Sequence, residues 1–308
     1  MSLYVVTGGA GFIGSHLVEE LLRRGERVRV ADDFSSGMRA NVPAGVEVVE
    51  GDIADPAIAG RAIAGADYVL HEAAIPSVAR SVADPARSHR ANVDGTLQVL
   101  IAARDHKVKR VVMAGSSSEY GDSPTLPKHE EMPLAPKSPY ALQKVTGEEY
   151  CRLFTSLYGL ETVSTRYFNV FGPRQQPNSP YSGVISLFIK ALTSGSQPLI
   201  LGDGQQTRDF TYVANVVDGV LRACTAPNAS GHAINVATGG RVSLLQLLDT
   251  LNRVMGTNAT PEFGPARQGD VKDSQAAIQK AKDLLGYEPT IDFEEGLRRT
   301  VAWYRSAH

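Results

Sequence analysis

The sequence predicts an α/β protein, with a doubly wound parallel sheet and a smaller, interleaved lobe in its C-terminal part. Two observations lead to this prediction. Short apolar runs alternate with amphipathic helical patterns through the first half of the 308-residue chain, as in parallel sheets covered by helices on both faces. The alternation stops near Arg174, but residues 233–237 again have a strand pattern, which indicates a return to the main sheet. We therefore expect one domain over residues 1–173 and a smaller lobe over 174–308.

The first strand, Leu3–Val6, leads directly into a glycine-rich turn. Glycines stand at positions 8, 11 and 14, and an amphipathic helix follows from Ser15 to Arg24. Glycine permits a tight strand-to-helix turn and a close approach of the backbone to a pyrophosphate, which the helix N-terminus then stabilises. In this strand-turn-helix context, the glycine spacing predicts a dinucleotide-binding Rossmann domain.

The second strand, Arg27–Ala31, is followed at once by Asp32. A carboxylate at this position can accept hydrogen bonds from ribose hydroxyls and repels a 2′-phosphate. We therefore expect NAD rather than NADP as the cofactor, although Arg39 lies close enough in sequence to offer a 2′-phosphate a positive partner.

Three further strands are expected at Val46–Glu50, Tyr68–His71 and Arg110–Ala114. Ligands of a doubly wound sheet bind beyond the carboxyl ends of its strands, so the residues that follow these strands should surround the cofactor. His71 ends an apolar strand and is expected to be a buried structural histidine. The proline-bearing segments 121–137 and 172–182 are expected to form loops at the same edge. The residues expected to contact the cofactor are Gly8, Gly11, Phe12, Ile13, Gly14, Asp32, Asp33, Asp52, Ile53, Ala73 and Ala74.

A tyrosine and a lysine stand four residues apart in a segment with a strong helix-start signal. Ser138 is a good N-cap and Pro139 a good first helical residue, which places Tyr140 in the opening turn and Lys144 on the same face. A neighbouring cation lowers the pKa of a phenol from about 10. We expect Tyr140 to exchange protons near neutral pH, although the same pattern also occurs on ordinary exposed helices.

Composition excludes several classes of protein. Net charge is −2, with 43% hydrophobic and 21% charged residues, which gives no basic surface for nucleic acid or an anionic membrane. No apolar run approaches the roughly 20 residues of a membrane span. Two cysteines, Cys151 and Cys224, form neither a disulfide framework nor a metal-binding motif, so we expect no metal and a cytoplasmic location.

With these residues in view, the chain resembles the extended short-chain dehydrogenase/reductase family and, within it, the NAD-dependent nucleotide-sugar 4-epimerases. The resemblance runs nearly from end to end. Its markers are residues 7–14, Asp32, residues 51–53, residues 71–74, Asn92, residues 116–121, Tyr140 with Lys144, residues 166–169, residues 208–210 and residues 267–270.

The resemblance implies roles for the polar residues at the centre of the site. Tyr140 would exchange the proton of the sugar 4-hydroxyl, and Lys144 would bind the nicotinamide ribose. Ser116 would hydrogen-bond the same sugar oxygen, and Asn92 would be a structural and relay residue beside the cofactor. These four residues therefore also count among the expected catalytic or cofactor contacts.

The resemblance also implies a nucleotide-sugar site in the C-terminal lobe. Asn169, Arg208 and Arg267 would hold the phosphates and ribose of a UDP-sugar, because the planar arginine fork suits a diphosphate. Surface ion pairs of the two arginines with neighbouring aspartates are the alternative, and Ser117 and Ser118 are equally compatible with a plain turn. The expected substrate contacts are Ser81, Ser116, Ser117, Ser118, Tyr140, Asn169, Arg208, Arg267, Asp270 and Ser274.

The positions just after Ser116 bear on the reaction. The resemblance implies Asp and Glu there in sugar dehydratases and a retained Glu in decarboxylases. This chain has Ser117 and Ser118, and its acid, Glu119, falls one position later. Because elimination needs a general acid–base pair, we expect an isomerase that epimerises C4 of a UDP-hexose through a 4-keto intermediate. A dehydratase or decarboxylase, a UDP-uronic acid 4-epimerase and a non-catalytic NAD-responsive binding protein stay open as alternatives.

One residue bears on the choice of sugar. The resemblance implies that epimerases restricted to glucose and galactose carry a bulky tyrosine seven residues after the position of Arg267, where this chain has Ser274. A small side chain leaves room for a 2-acetamido group, so we expect UDP-GlcNAc and UDP-GalNAc to be accepted along with UDP-Glc and UDP-Gal. The alternative is that Ser274 is the N-cap of a helix from Gln275.

Assembly is expected from the family as well. Its members commonly dimerise through two long helices, here about Ala91–Asp105 and Tyr140–Tyr158, whose apolar residues include Leu97, Leu100 and Leu153. A homodimer is therefore expected, although these side chains could equally belong to the intramolecular core. The final helix, Phe293–Tyr304, is expected to pack through Leu297, Val301 and Tyr304.

Overall fold

The computed structural model describes residues 1–176, 183–265 and 272–307. Its strands, in chain order, are β1 Leu3–Thr7, β2 Arg27–Asp32, β3 Glu47–Glu50, β4 Tyr68–His71, β5 Arg110–Ser116, β6 Glu161–Tyr167, β7 Val170–Phe171, β8 Leu199–Leu201, β9 Thr207–Arg208, β10 Thr211–Tyr212, β11 His232–Val236, β12 Val242–Ser243 and β13 Glu262–Gly264.

The α-helices are α1 Phe12–Arg23, α2 Pro56–Ile63, α3 Val78–Ala83, α4 Pro85–His89, α5 Gly95–Asp105, α6 Pro139–Tyr158, α7 Val184–Thr193, α8 Val213–Thr225, α9 Leu244–Met255, α10 Gln279–Leu285 and α11 Phe293–Ala307. A π-helical turn, Arg90–Asp94, precedes α5, and two 3-10 turns lie at Arg39–Asn41 and Ser117–Tyr120. No helix within the described ranges has the length and apolar character needed to cross a membrane.

Seven strands form one parallel sheet in the order β11-β6-β5-β4-β1-β2-β3. The order reverses at β1, which pairs with β2 on one side and β4 on the other, and a crevice for ligands opens at such a switch point beyond the strand carboxyl ends. The predicted doubly wound sheet is confirmed. Strand β5 extends two residues past its predicted end, to Ser116, and so carries a predicted catalytic residue at its tip.

The core lies on both faces of this sheet because side chains alternate along each strand. Val5 of β1 packs into the cluster under α2 and α5, whereas Tyr4 and Val6 pack into the cluster that includes α1 and α8. The first helix begins at Phe12 rather than at the predicted Ser15, because Gly11 occupies the N-cap and the helix starts inside the glycine-rich segment.

The C-terminal part is interleaved with the first domain, as predicted. β11 returns to the main sheet and pairs with β6, while α8 packs against α1 and the sheet with Val216 and Val220 fully buried. The smaller lobe is built from the two-stranded pairs β8–β13 and β9–β12, with β7–β10 at the junction. The final helix packs through Leu297, Val301 and Tyr304, which are 0%, 3% and 6% exposed, in agreement with the expectation.

The two long helices α5 and α6 do not present all the leucines predicted for a dimer surface. Leu100 is fully buried in the core under the sheet, so its assignment to that surface is wrong. Its position places it on the face of α5 that contacts the domain's own strands, and the hydrophobic effect is satisfied there within one chain. Leu97 is partly buried, and Leu153 is 38% exposed on the outer side of α6.

Candidate active site

The glycine-rich turn has no room for side chains. A Cβ added at Gly14 would lie 2.2 Å from the carbonyl oxygen of Gly8, and one at Gly8 would lie 2.7 Å from the nitrogen of Ala73. Gly8 also has φ +69°, which favours glycine. Gly11 is the N-cap of α1 and supplies no side-chain cap, so the opening of the helix keeps its capacity to bind an anion. These features fit the pyrophosphate of a dinucleotide.

Asp32 lies at the carboxyl end of β2, beside the glycine-rich turn. Its Oδ2 accepts a hydrogen bond from the Ala10 N–H at 2.9 Å and its Oδ1 one from the Phe34 N–H at 2.8 Å. Each oxygen retains a lone pair for a ribose hydroxyl. Burial raises the pKa of Asp32 above its usual value. The neighbouring Asp33 accepts from Ser35 within its own turn.

Arg39, the residue that left NADP open, is already engaged. Its guanidinium pairs with Glu50 and lies 4.1 Å from the centre of the Phe34 ring. A 2′-phosphate would therefore have to compete with a carboxylate for this arginine, and Asp32 would repel it. The residues at this edge of the sheet fit NAD better than NADP.

The ends of β3 and β4 complete the expected cofactor pocket. Asp52 accepts from the Ala54 N–H at 2.9 Å and pairs with Arg90 at 2.9 Å, while Ile53 is buried. The Ala73 N–H donates to Thr7 Oγ1 at 3.2 Å, which places Ala73, and with it Ala74, directly after β4 and next to Gly8.

Asn92 ties the loop after β4 to the helix that carries Tyr140. Its Oδ1 accepts from the Ile75 N–H at 2.8 Å, and its Nδ2 donates to Gln143 Oε1 at 2.8 Å. Asn92 is 3% exposed. The structure thus supports the structural part of its expected role.

His71 is a satisfied core histidine, in agreement with the expectation. Its Nδ1 lies 2.7 Å from Thr7 Oγ1 and its Nε2 lies 3.0 Å from Thr96 Oγ1. Burial, with Lys144 as a second cause, lowers the pKa of His71 to about 3, so the ring is neutral at physiological pH. It holds β1, β4 and α5 together.

Helix α6 starts as predicted, with Ser138 as the N-cap and Pro139 as the first helical residue. Ser138 Oγ accepts from the Ala141 N–H at 3.1 Å. A second serine, Ser81, accepts from the Tyr140 N–H at 3.0 Å and donates to the Val78 carbonyl at 2.7 Å. Ser81 is fully buried and holds the backbone of Tyr140, and its predicted contact with the substrate stays a prediction.

The three predicted catalytic side chains, Ser116, Tyr140 and Lys144, lie together where the carboxyl end of β5 meets the start of α6. The Ser116 side chain interacts with the Tyr140 phenol, and this interaction favours a lower pKa of Tyr140. Lys144 Nζ donates to the Ala114 carbonyl at 2.7 Å and lies 6.0 Å from the centre of the Tyr140 ring.

The expectation that Lys144 brings the pKa of Tyr140 below its usual value is wrong for the protein alone. Burial raises the pKa of Tyr140 to about 12, and the carboxylates of Glu72 and Glu119 add to the increase. Burial also lowers the pKa of Lys144 itself. The desolvation of the phenol therefore outweighs the influence of the chain's own cation.

The turn after β5 is a single 3-10 turn closed by a capping box. The Ser116 N–H donates to Glu119 Oε1 at 2.6 Å, and Ser118 donates to Ser116 Oγ from both its N–H and its hydroxyl, at 3.2 and 2.9 Å. Ser118 therefore acts as a turn residue, which was one of its two predicted roles. Glu119 is fully buried.

Sequence reasoning missed two buried acid sites beneath the catalytic residues. Glu119 and Glu148 both approach Arg166, at 3.3 and 2.5 Å. Elsewhere, the Tyr167 hydroxyl donates to Glu72 Oε1 at 2.6 Å, and burial raises the pKa of Glu72 to about 7. A weak signal was present, since Glu148 follows Lys144 by four residues on α6, one turn further along the same face.

Of the residues from Asn169 onward that are predicted to bind the nucleotide sugar, those that the structure describes lie in the smaller lobe and at its junction with the sheet. Asn169 has φ +35°, an uncommon backbone conformation for a residue other than glycine, and its carbonyl accepts from the Thr211 N–H at 3.3 Å. Arg208 Nη1 donates to the carbonyls of Thr207 and Lys272, at 2.9 and 3.0 Å. The predicted contacts Arg267 and Asp270 lie outside the described residues.

Asp209, next to Arg208, organises this lobe from the inside. It is fully buried and accepts from the N–H groups of Thr238, Gly239 and Ala276, at 3.1, 2.9 and 3.1 Å, and from the Thr238 hydroxyl at 2.6 Å. This carboxylate therefore fixes the segment that contains Ser274.

Ser274 lies in an extended segment. Its N–H donates to the Thr207 carbonyl at 3.0 Å, and the residues just after it pair with Lys128, whose N–H donates to the Gln275 carbonyl at 2.7 Å. The alternative that Ser274 caps a helix from Gln275 is wrong, because helix α10 begins only at Gln279. The side chain of Ser274 is 7% exposed.

Comparison with known proteins identifies the family. The sequence profile described as the NAD dependent epimerase/dehydratase family matches residues 4–237. The chain belongs to this family. A UDP-glucose 4-epimerase of Mycolicibacterium smegmatis is 40% identical over 309 residues, which cover 98% of each chain.

Solved structures agree with this assignment. UDP-N-acetylglucosamine 4-epimerase of Methanobrevibacter ruminantium, in complex with UDP-N-acetylmuramic acid, has a TM-score of 0.96 at 38% identity and covers 100% of this chain and 99% of its own. UDP-glucose 4-epimerase of Thermotoga maritima, with UDP-glucose, has a TM-score of 0.95 at 36% identity and covers 99% of both chains.

Relatives with other chemistry are also present. UDP-glucuronic acid decarboxylase 1 of Xenopus tropicalis is 32% identical over 311 residues, covering 98% of this chain and 72% of its own. UDP-glucuronic acid 4-epimerase of Bacillus cereus has a TM-score of 0.92 at 30% identity and covers 99% of this chain and 100% of its own. The comparisons confirm the expected family, the enzyme class of isomerase and the cofactor NAD, and they leave the sugar open.

Proposed function

We propose that this protein epimerises C4 of UDP-hexoses through a 4-keto intermediate, with UDP-Glc and UDP-Gal and also UDP-GlcNAc and UDP-GalNAc as substrates. The observation that carries the proposal is the convergence of Ser116, Tyr140 and Lys144 at the carboxyl edge of a sheet whose first turn fits NAD. Relatives of this chain named UDP-glucose 4-epimerase support the same reaction.

The chain's residues would hold the sugar and move one proton. Tyr140 Oη takes the proton of the 4-hydroxyl as C4 becomes a ketone, and it returns that proton when C4 is reduced again. Ser116 hydrogen-bonds the same oxygen, and Lys144 would hold the nicotinamide ribose of bound NAD. When bound, oxidised NAD supplies a hydride acceptor and a positive charge. A positive charge near Tyr140 stabilises its phenolate form, whereas burial destabilises that form. The 4-keto sugar turns about its diphosphate link between the two half-reactions, so that the configuration at C4 inverts.

The same site argues against dehydration and decarboxylation. Glu119, the acid closest in sequence to the catalytic serine, is buried under the turn and bonded to the Ser116 N–H. Ser117 and Ser118 supply only hydroxyls at the positions where an eliminating enzyme needs an acid and a base. The decarboxylase among the relatives keeps this alternative in the test below.

We propose that Ser274 determines the choice of sugar. Its small side chain follows the Lys272–Asp273 segment that contacts Arg208 and Thr207, and Asp209 fixes the backbone just after it. We propose that Arg208, Arg267, Asn169 and Asp270 hold the nucleotide diphosphate and that Ser274 leaves room for a 2-acetamido group. The solved relative named UDP-N-acetylglucosamine 4-epimerase supports this breadth.

The experiment is NMR of UDP-GlcNAc and, separately, of UDP-Glc, each incubated with the purified protein first without and then with added NAD. Appearance of both 4-epimers is expected. Epimerisation of UDP-Glc alone would retain the reaction and refute the acetamido pocket. A UDP-glucuronic acid sample tests the uronic-acid alternative, and release of CO2 or a 4-keto-6-deoxy product would identify a decarboxylase or dehydratase. No change of any sugar, with NAD bound, would favour the non-catalytic binding protein.

We also propose a cytoplasmic homodimer. Leu142, Leu153 and Leu157 are 55%, 38% and 68% exposed on one outer face of α6, a spacing that aligns them along the helix. An exposed apolar row of this kind is typical of an interface. Light scattering at micromolar concentration would refute the dimer if it gave the monomer mass.

The cytoplasmic location is supported by the two cysteines. Cys151 and Cys224 are free and buried, as in a reducing compartment.

A further inference from the structure

A row of three residues crosses the carboxyl end of the sheet beneath the catalytic turn. Gly115 of β5 is in register with Arg166 of β6, which is in register with Asn235 of β11. A Cβ at Gly115 would approach Glu119 Oε1 to 3.1 Å and Arg166 Cγ to 3.3 Å. The absent side chain therefore leaves the space in which Glu119 and Arg166 meet.

On one side of this row, Arg166 joins the catalytic turn to the catalytic helix. Its Nε donates to Glu148 Oε2 at 2.9 Å and its Nη2 to Glu148 Oε1 at 2.5 Å, while Nε lies 3.3 Å from Glu119 Oε2. Arg166 is 2% exposed and Glu119 is fully buried. Burial and the neighbouring Glu148 carboxylate raise the pKa of Glu119 above its usual value.

On the other side, Asn235 joins the sheet to the smaller lobe. Its Nδ2 donates to the carbonyls of Lys128 and Ala277, at 3.0 and 3.1 Å. Lys128 and the segment 275–277 pair with each other, and Ser274 comes directly before that pair. Asn235 is fully buried, so it has no water to replace these bonds.

The hydroxyl of Tyr120 connects the two sides. It accepts from Arg166 Nη1 at 2.8 Å and donates to Asn235 Oδ1 at 2.7 Å. The Tyr120 side chain is fully buried and packs with Phe168 and Ala276. Tyr120 is also the last residue of the 3-10 turn that begins next to Ser116.

We propose that Tyr120 is a positioning residue that couples the Ser116 turn to the segment carrying Ser274. Its hydroxyl fixes the turn against Arg166 and fixes the substrate lobe through Asn235. As a result, the Ser116 hydroxyl, which is proposed to contact the sugar oxygen, keeps a constant position relative to the segment carrying Ser274. This inference rests on the proposed epimerase reaction for its kinetic test, and on backbone protection for a test that needs no activity.

The substitution Tyr120→Phe removes only the connecting oxygen. Its matched control is Tyr287→Phe, since Tyr287 is also fully buried and its hydroxyl bonds the Ala237 carbonyl at 3.0 Å, just beyond β11, rather than Arg166 or Asn235. Both variants should melt at a lower temperature than the wild type. Only Tyr120→Phe should lower kcat, by about tenfold, with the KM for UDP-Glc changed less than threefold.

A double-mutant cycle with Ser116→Ala shows whether Tyr120 acts through Ser116. In the Ser116→Ala background, Tyr120→Phe should change kcat by less than twofold. The same tenfold loss in both backgrounds, or an equal loss of kcat in Tyr287→Phe, would overturn the proposal by reducing Tyr120 to a contributor to stability.

Hydrogen exchange measured by mass spectrometry decides the coupling without turnover. Tyr120→Phe should increase exchange in peptides covering 116–121 and in peptides covering 274–278, whereas Tyr287→Phe should leave the first of these unchanged. Faster exchange on only one side of Tyr120 would refute the coupling. If the wild type epimerises no UDP-sugar, the proposed reaction has failed, and the exchange data still support or overturn the structural link.

Discussion

The glycine-rich turn and the catalytic turn both follow strands of the same sheet, yet they are fixed by different means. The first is shaped by close backbone contacts: a Cβ added at Gly14 would meet the backbone of Gly8, and one added at Gly8 would meet the backbone of Ala73 after β4. The second has a capping box of its own, but its last residue, Tyr120, is held by Arg166 of β6 and Asn235 of β11 across long separations in sequence. A turn fixed by local steric limits can be read from a sequence, whereas one fixed by distant partners cannot.

The largest effect separates the two regions by function. Tyr140→Phe should reduce kcat by about 10³-fold, because general acid–base catalysis contributes on the order of 10² to 10⁴. NAD binding, measured by calorimetry, should change little, since the glycine-rich turn is untouched. Tyr150→Phe, on the same helix, is the control and should keep nearly full activity. Near-normal turnover by Tyr140→Phe in a steady-state assay would refute the assignment of the phenol.

The next effect probes the glycine-rich turn itself. Gly14→Ala should weaken NAD binding by about 100-fold, because a Cβ lying 2.2 Å from the Gly8 oxygen must displace the backbone that faces the pyrophosphate. The control is Gly60→Ala in α2, where an added Cβ meets no atom within 4 Å, and it should raise stability by about 0.5–1 kcal/mol. Calorimetric titration with NAD and thermal melts measure both. Unchanged affinity in Gly14→Ala would show that this contact does not shape the site.

A smaller and selective effect is expected in the substrate lobe. Ser274→Tyr should reduce turnover of UDP-GlcNAc at least tenfold while UDP-Glc keeps most of its activity, because the added ring fills the space proposed for the acetamido group. The ratio of kcat/KM for the two sugars is the measurement. Equal losses for both sugars would count against a specificity role. Ser274→Ala, which keeps the space open, should preserve the wild-type ratio.

The smallest effect concerns Glu72, which lies between the glycine-rich turn and the catalytic turn. The pKa of Glu72 is raised to about 7 in the folded protein, so the folded state binds the Glu72 proton more tightly than the unfolded state does. The contribution of Glu72 to the free energy of unfolding is therefore fully present below its unfolded pKa and is lost as pH rises through about 7. Glu72→Gln keeps an acceptor for Tyr167 and removes the charge. Relative to wild type, it should gain about 1–2 kcal/mol in free energy of unfolding between pH 5 and pH 8. A difference independent of pH, in denaturant titrations, would contradict this.

The sequence predicted much of the fold because its elements begin with local signals. Ser138 and Pro139 mark the start of α6 through capping and a fixed φ, and both act as expected. Strand β6 was not predicted, since its buried face carries Thr162, Ser164 and Arg166, whose polar side chains are satisfied only by partners elsewhere in the chain.

The errors have a shared physical origin. Lys144 stands where the sequence placed it, but the pKa of Tyr140 follows the desolvation of the whole site, which no spacing of two residues expresses. The hydroxyl of Ser81 bonds the Tyr140 N–H and the Val78 carbonyl, two partners that no local pattern in the sequence indicates. Leu100 belongs to an apolar helix pattern, and such a pattern does not distinguish packing within the chain from packing against a second subunit.

By itself, the sequence determined the doubly wound sheet, the glycine-rich turn, the acid at Asp32 and the position of Tyr140 and Lys144 on one helix face. These features depend on periodicity, steric limits and neighbours along the chain. Only the tertiary structure decided that Glu119 is buried beneath the catalytic turn, that Arg166 pairs with Glu148, and that Tyr120 joins this cluster to Asn235. Burial and hydrogen bonding between distant residues set those features, and both arise only when the strands β5, β6 and β11 come together.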